Sequence, residues 1–484
     1  MSDLAPSAPS LSLGFARFLV FSSSAAVLVL EILAGRLMAP YVGVSLETFT
    51  GIIGVILAGI ALGTSIGGRL ADRYDPAALL GPAFVLGGAL SWWSLWVVVA
   101  LGPELGRGPV AIVALTTIGF FTPAAVLSAV SPFVTKLRLR SIDETGTVVG
   151  SLSAWGTGGA LFGVFVTGFV LVAALPTKPI VISLGVLLVV AGGALTGWQT
   201  RQAPSAALLA GVIVSFGIGV TSTSPCEFES AYFCGRVVVD ADDPSVRSLV
   251  LDNLVHASVD LDDPEDLQIR YVRLLASAID ARDPGPLDAV HIGGGGFTVP
   301  AHVSRTRPGS TNTVFEIDDV LFGIAREELG YEPDAQTTVR IGDARLLLTD
   351  LDDESTDVVV GDAFGGAAVP WHLTTSEFVA EIDRILRPDG VYMVNVIDGG
   401  ENRFAEWQVR TMLEHFEHVA VIVPFGEMPG RVANQILLGS DVPIEPFALA
   451  ADGAWVDDAA AFSSDGRVLT DDYAPVDQLV TTRN

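Results

Sequence analysis

The chain has 484 residues, half of them hydrophobic, and its formal net charge of −28 is unevenly distributed. Residues 1–224 carry 8 acidic and 10 basic side chains, whereas residues 225–484 carry 47 acidic side chains, 17 arginines and no lysine. This segregation excludes a single soluble domain, a disordered chain and a disulfide-rich secreted scaffold. The acidic half does not attract a phosphate backbone, so we expect no nucleic-acid partner.

The first half contains seven apolar stretches, each long enough to cross about 30 Å of hydrocarbon as a helix. They cover residues 18–39, 49–68, 77–103, 108–135, 145–177, 179–200 and 202–226. We therefore predict a multi-pass α-helical membrane domain over residues 1–225, with the lipid bilayer as its partner. Gly59, Gly63 and Gly67 recur every four residues. This spacing favours close helix packing, and we expect a homo-oligomer through such glycine-rich spans.

Lysine and arginine residues in the short loops predict how the spans are oriented. Seven of them fall on the side of the N-terminus and three on the other side, which favours a cytoplasmic N-terminus. Seven spans in a cell membrane then place the acidic half outside the cytoplasm. Cys226 and Cys234 pair there if the compartment is oxidising, whereas a reducing cytosol leaves two free thiols. Glu31 and Arg36, in the first span, are expected either to pair or to reach the interface.

The second half begins with short β-rich runs and a helix over Pro264–Asp280, and then strands alternate with helices. We expect β-hairpins and a leading helix over residues 226–285. For residues 286–484 we expect an α/β Rossmann-like, methyltransferase-type doubly wound domain. Its predicted strands are residues 289–292, 313–317, 338–341, 358–361, 391–396, 419–424 and 435–438. Ligands on this fold bind at the carboxyl ends of the strands.

Four strand ends carry residues that suit a nucleoside. These residues are Gly293, Gly294, Gly295, Glu316, Asp343, Ala344 and Asp362. The glycines let the backbone approach a ligand, and Glu316 is placed to accept hydrogen bonds from ribose hydroxyls. We expect Asp343 to meet an adenine amino group and Asp362 to face the reacting end. This half has no lysine and no Gly-Lys-Ser/Thr loop, which argues against a nucleoside triphosphate and favours a nucleoside with a sulfonium.

From about Tyr232 to Leu479 the sequence resembles the spermidine synthase (aminopropyltransferase) family, specifically its membrane-fused members. Residues 469–477, Leu-Thr-Asp-Asp-Tyr-Ala-Pro-Val-Asp, are similar to the C-terminal signature of those members. In the first half, Gly68–Arg73 also resembles a cytoplasmic loop of major facilitator superfamily transporters. The family resemblance implies aminopropyl transfer from decarboxylated S-adenosylmethionine to a small amine or polyamine, as in polyamine biosynthesis. It assigns Asp362 as the base.

The resemblance also implies substrate contacts, and the sequence departs from several of them. Tyr271 matches a family tyrosine, whereas His256 stands near an expected glutamine. Gly296 occupies the position of an aspartate that grips the amine of the donor. His372 is expected either to line the acceptor pocket as a proton acceptor or to close the edge of the sheet. The nucleoside part of the site matches the family, whereas the polyamine part is altered.

Two other functions fit the same residues. One is a transporter or sensor whose nucleoside-binding domain does not catalyse, and the other is a methyltransferase that uses intact S-adenosylmethionine. His415 and His418 have a spacing that is common on surface helices, so we expect no metal. The acidic, lysine-free half resembles proteins from high-salt organisms, so we attribute most of its charge to solubility.

Overall fold

The computed structural model describes residues 11–106, 108–139, 141–200, 206–364, 369–399, 401–424 and 433–480. The chain divides into two compact units, residues 1–234 and residues 235–484. The predicted end of the membrane domain, at residue 225, lies nine residues before this division.

Within the described residues, six helices of the first unit are long and apolar enough to cross a membrane. They are α1 (Leu13–Val42), α2 (Leu46–Arg73), α3 (Pro76–Leu105), α4 (Pro109–Arg138), α5 (Ile142–Ala174) and α6 (Thr177–Trp198). The seventh predicted span corresponds to a shorter apolar helix, α7 (Ala207–Thr221). A membrane-spanning helix usually needs about 20 residues, so the predicted count of seven is not confirmed.

Glycines let the helices of this bundle pack closely. A Cβ atom on Gly63 of α2 would lie 2.0 Å from the carbonyl oxygen of Ala125 in α4. A Cβ atom on Gly159 of α5 would lie 2.1 Å from the carbonyl oxygen of Phe21 in α1. These small-residue faces are therefore used inside one chain. A homo-oligomer stays a prediction.

Arg36, near the end of α1, binds a segment that follows the helices. Its guanidinium donates hydrogen bonds to the carbonyl oxygens of Ser230 (2.5 Å) and Ala231 (2.9 Å). It also lies 3.9 Å from the carboxylate of Glu229. These partners lie beyond the helix, and the sequence does not place them near Arg36. Pairing of Arg36 with Glu31 stays a prediction.

The ends of α1 and α7 meet at the same end of the bundle. Glu229 accepts hydrogen bonds from the backbone N–H and the hydroxyl of Thr177, where α6 begins. Lys178 donates to the carbonyl oxygens of Val220 and Ser222, where α7 ends. The start of α1 and the end of α7 are therefore at opposite ends of the bundle. Cys226 and Cys234, which follow α7, form a disulfide.

After the short strand β1 (Phe228–Glu229), the strands β2 (Cys234–Val239), β3 (Val246–Leu251) and β4 (Leu254–Asp260) form antiparallel hairpins. The helix that follows, α8, spans Arg270–Asp280. The predicted start at Pro264 is wrong. The carboxylate of Asp263 accepts the N–H of Glu265, and its carbonyl accepts the N–H of Asp266. These turn hydrogen bonds compete with helix formation.

The main sheet has eight strands in the order β12-β10-β11-β9-β8-β5-β6-β7. The five neighbouring strands β9, β8, β5, β6 and β7 run parallel to one another. Beyond β9 the sheet continues with β11, β10 and β12, each antiparallel to the strand before it. Their bounds are β5 (Asp288–Ile292), β6 (Thr311–Glu316), β7 (Thr337–Ile341), β8 (Thr356–Gly361), β9 (Leu386–Asp398), β10 (His418–Val423), β11 (Ala433–Ser440) and β12 (Ala454–Trp455). All seven predicted strands overlap strands of this sheet, so the mostly parallel α/β fold is confirmed.

Helices cover both faces of the sheet. They are α9 (Thr298–Thr306), α10 (Asp319–Glu328), α11 (Ala344–Leu348), α12 (Ser376–Ile385), α13 (Arg403–Met412), α14 (Ala459–Phe462) and α15 (Val476–Leu479). Side chains of β5 alternate between two cores: Val290 packs in the core that contains Phe378 of α12, and Ala289 in the core that contains Leu275 of α8. Both faces are buried, as expected for parallel strands.

A glycine substitution tests the packing of α2 on α4. We expect Gly63→Ala to destabilise the full-length protein in detergent by about 1–3 kcal/mol, because the added methyl group overlaps backbone. Gly54→Ala in the same helix is the control, since its Cβ meets nothing within 4 Å. Both variants gain the same helix propensity, so only packing differs. Equal melting temperatures for the two variants would contradict the close contact.

Candidate functional site

The glycine loop after β5 adopts a backbone that other residues disfavour. Gly293 has a φ of +94°, and Gly295 a φ of +49°. A Cβ on Gly293 would lie 2.4 Å from the carbonyl oxygen of Asp362, and a Cβ on Gly294 would lie 2.7 Å from the ring of Phe297. Conformation and space therefore both require glycine here, and the loop brings its backbone directly against the end of β8.

Glu316, at the end of β6, holds this loop in place. One carboxylate oxygen accepts the N–H groups of Gly294 (2.7 Å) and Gly295 (3.1 Å), and the other accepts the N–H of Asp318 (2.9 Å). Burial raises the pKa of Glu316, while the three backbone N–H groups act to lower it. Each oxygen of an ionised carboxylate has two lone pairs, so Glu316 retains acceptor capacity for a ribose.

Asp343 and Ala344 lie at the next strand end, where α11 begins. The carboxylate of Asp343 caps this helix by accepting the N–H of Arg345 at 2.9 Å, and Ala344 is buried. The second oxygen of Asp343 lies 3.3 Å from Nε2 of His372. The structure thus places His372 beside the predicted adenine contact.

The C-terminal segment is bound to the same strand end. Asp471 accepts two hydrogen bonds from the guanidinium of Arg345, at 2.7 and 2.6 Å, and one from the hydroxyl of Thr375 at 2.8 Å. Arg345 also donates to the carbonyl oxygen of His372 at 2.9 Å. The hydrogen bond from Arg345 lowers the pKa of Asp471. Arg345 therefore links Asp471 to the segment that carries His372.

Asp362, at the end of β8, is held by two donors. The hydroxyl of Tyr271 donates to one carboxylate oxygen at 3.0 Å, and the side-chain amide of Asn395 donates to the other at 2.8 Å. Burial raises the pKa of Asp362 to about 6, although both hydrogen bonds act to lower it.

His256 lies close to Asp362, since the Tyr271 hydroxyl is 3.3 Å from the carbonyl oxygen of His256. Burial lowers the pKa of His256 to about 4, so its ring is neutral at pH 7.

Of the predicted substrate contacts, Tyr271 and His256 therefore lie with Asp362, and His372 lies with Asp343. Asn395 was not anticipated. Its carbonyl oxygen accepts the amide of Asn434 at 3.0 Å, which turns its own amide towards Asp362. A signal was present in the sequence, since Asn395 is a fully buried polar residue within the apolar strand β9.

The structure also gives His415 a protein partner. Its Nε2 lies 2.7 Å from the hydroxyl oxygen of Ser376. In the part of the chain that the structure describes, no group of three or more His, Cys, Asp or Glu residues is arranged to hold a metal ion.

Part of the chain is similar in sequence to a known protein. The chain is 27% identical over 214 residues to the polyamine aminopropyltransferase of Vibrio vulnificus, an alignment that covers 39% of this chain and 68% of that protein. The chain therefore has spermidine synthase-like homologues. No family model matches the chain.

Several solved structures are similar to part of the chain. A probable spermidine synthase from Corynebacterium glutamicum is 28% identical with a TM-score of 0.47, covering 50% of this chain and 95% of that one. Spermidine synthase from Thermotoga maritima is 17% identical with a TM-score of 0.34, covering 43% and 69%. Human methyltransferase-like protein 13, in complex with SAH, is 21% identical with a TM-score of 0.32, covering 37% and 86%.

The contacts of Glu316 predict the effect of a neutral substitution. In Glu316→Gln, one acceptor oxygen becomes an NH₂ group that faces backbone N–H donors. We expect the affinity for methylthioadenosine to fall about 10- to 100-fold, since hydrogen bonds to charged groups contribute roughly 1.5–3 kcal/mol. Calorimetry on the full-length protein measures this. Glu327→Gln removes the same charge from an exposed position of α10 and is the control. Equal affinities in the two variants would exclude Glu316 from the nucleoside site.

Proposed function

We propose that the acidic half binds a sulfonium nucleoside of the S-adenosylmethionine type, and that it transfers the aminopropyl group of decarboxylated S-adenosylmethionine to an amine. The carboxylate of Asp362, held by Tyr271 and Asn395 beside the glycine loop, carries this proposal. It lies at the carboxyl end of a parallel strand, where ligands of this fold bind. The similarity to a polyamine aminopropyltransferase supports the same reaction class.

The reaction requires one nucleophile, one leaving group and one base. The amine nitrogen attacks the carbon beside the sulfonium, so a C–N bond forms and a C–S bond breaks. The electron pair of the broken bond goes to sulfur, which leaves as the neutral thioether methylthioadenosine. Asp362 accepts the proton that the amine loses. Tyr271 and Asn395 fix the orientation of its carboxylate.

Removing the base tests this role. We expect Asp362→Asn to lower kcat/KM for an amine acceptor by about 10²–10⁴-fold, the usual contribution of a general base. Methylthioadenosine affinity is expected to change little, and Asp352→Asn, at an exposed position, is the charge-matched control. Unchanged turnover in Asp362→Asn would remove the assigned role. If the wild-type protein binds methylthioadenosine but turns over neither S-adenosylmethionine nor its decarboxylated form, the result would support a sensor instead.

The pH dependence follows from the raised pKa of Asp362. The base must be ionised, and its pKa of about 6 lies above the ordinary value of 3.8. We therefore expect kcat/KM to fall tenfold per pH unit below about pH 6, where an ordinary aspartate would stay ionised until about pH 4. The measurement is a pH profile of kcat/KM with a stable acceptor. A flat profile between pH 7 and pH 5 would contradict Asp362 as the base.

Methyl transfer from intact S-adenosylmethionine is a second candidate, favoured by the packing of Gly296. A Cβ at this position would lie 2.2 Å from the Cβ of Ala257. The position therefore holds no acidic side chain that would repel the carboxylate of an intact donor. The reaction product distinguishes the two reactions: methylthioadenosine indicates aminopropyl transfer, and S-adenosylhomocysteine indicates methyl transfer.

We also propose that α1–α7 span a cell membrane and that the segment after α7 lies on the side opposite the N-terminus. The opposite positions of the start of α1 and the end of α7 support an odd number of crossings. The disulfide between Cys226 and Cys234 suits an oxidising compartment.

Labelling in intact cells tests this topology. A membrane-impermeant reductant followed by an impermeant maleimide is expected to label the wild-type protein. It is expected to leave Cys226→Ser/Cys234→Ser unlabelled, because these are the only cysteines in the chain. Labelling that requires permeabilised cells would place this segment in the cytoplasm.

A further inference from the structure

We propose that Asn434 is a positioning residue that controls the charge state of Asp362 through the side-chain amide of Asn395. This inference rests on the proposed function, because the charge state serves catalysis only if Asp362 is the base. Three observations lead to it: a chain of hydrogen bonds that ends at Asp362, the direction of each bond in that chain, and the fixed charge of the groups beside Asp362.

The two asparagines lie on the same face of the sheet, on neighbouring antiparallel strands. Asn395 is opposite Ile436 in the pairing of β9 with β11, and Asn434 is two residues before Ile436. Side chains two residues apart on a strand point to the same face, so Asn434 lies diagonally across from Asn395. Ile436 packs in the core that contains Tyr271 of α8. Both asparagines therefore lie on the side of the sheet from which Tyr271 reaches Asp362.

The hydrogen bonds between these side chains all point towards Asp362. The amide nitrogen of Asn434 donates to the carbonyl oxygen of Asn395 at 3.0 Å, and the amide nitrogen of Asn395 donates to Asp362 at 2.8 Å. A primary amide donates only from its nitrogen and accepts only at its oxygen. While Asn434 donates, Asn395 therefore presents its nitrogen to Asp362, and this donor stabilises the ionised carboxylate.

A side chain at position 434 that could only accept would reverse this chain. The nitrogen of Asn395 would turn towards position 434, and its carbonyl oxygen would turn towards Asp362. Two facing oxygens form a hydrogen bond only if the carboxyl group is protonated. Burial strengthens this dependence, since Asn395 is 1% exposed and its polar atoms need protein partners. The bond direction set at position 434 thus selects the ionised or the neutral form of Asp362.

Among the described residues, the other titratable groups beside Asp362 keep one charge state near neutral pH. Tyr271 of α8 donates to the carboxylate, while His256 of β4 and His291 of β5 line the small cavity beside Asp362. Burial raises the pKa of Tyr271 well above its usual value and lowers the pKa of both histidines to about 4. Near neutral pH the phenol is therefore protonated and both imidazoles are neutral, so Asp362 is the group whose charge responds to Asn434.

Infrared spectroscopy on the full-length protein in detergent tests this control, because a protonated carboxyl group and a carboxylate absorb at different frequencies. The band of Asp362 is identified by its loss in Asp362→Asn, and its pH titration gives the pKa without turnover. Asn434 is half-buried, so an aspartate in its place remains in contact with water and ionises. We expect Asn434→Asp to raise the pKa of Asp362 from about 6 to about 7 or above.

A double-mutant cycle separates this effect from direct repulsion between two carboxylates. Repulsion acts through space, so it would raise the pKa of Asp362 equally when Asn434→Asp is introduced into the wild-type protein and into Asn395→Leu. If the amide transmits the effect, the rise is expected in the wild-type background and is expected to fall by at least half in Asn395→Leu. Asn434→Leu goes through the same cycle. It removes the donor without adding charge, so a smaller rise is expected, again only where Asn395 is present.

An unchanged pKa of Asp362 in Asn434→Asp, or equal rises in both backgrounds, would overturn the inference. If melting temperatures show that the aspartate variant does not fold, the leucine cycle decides in the same way, and no rise or equal rises there would count against Asn434. A failure of the proposed function has a different signature. The wild-type protein would then not turn over the donor with an amine, while the infrared titration would still report the charge state of Asp362.

Discussion

The candidate site depends on one buried carboxylate that binds backbone. Glu316 accepts three N–H groups, two of them from the glycine loop, and this fixes the loop in a conformation with positive φ angles. The loop then meets the end of β8 so closely that Gly293 has no room for a side chain. The distance between the predicted nucleoside contacts and Asp362 follows from this contact, because the strand ends belong to one parallel sheet.

Charge is distributed differently on the surface and in the site. The second half carries 47 acidic residues, yet the described lining of the cavity beside Asp362 contains a single carboxylate. Surface carboxylates are hydrated and screened, so they keep the protein soluble without setting its chemistry. Glu316 and Asp362 differ from them, because burial raises the pKa of both carboxyl groups. An acidic composition is therefore no measure of an acidic pocket.

In the first unit, too, the sequence pattern indicated which residues make close contacts but not which residues they contact. The glycine spacing in α2 correctly indicated close helix contacts, but it did not identify the partner, which is α4 of the same chain. Arg36 likewise stood out as a charge within an apolar span, and its partners proved to be nearly 200 residues away, at Glu229–Ala231. Spacing along a helix determines which side chains share a face, and only packing determines what that face meets.

The sequence by itself determined the apolar helices, the strands of the mostly parallel sheet and the residues at the strand ends, including Glu316 and Asp362. Hydrophobic periodicity is a local property, and parallel strands bring their carboxyl ends to one edge whatever their length. Only the tertiary structure decided the partners of Arg36 and the donors that hold Asp362. Such contacts join residues distant in sequence, and no local pattern encodes them.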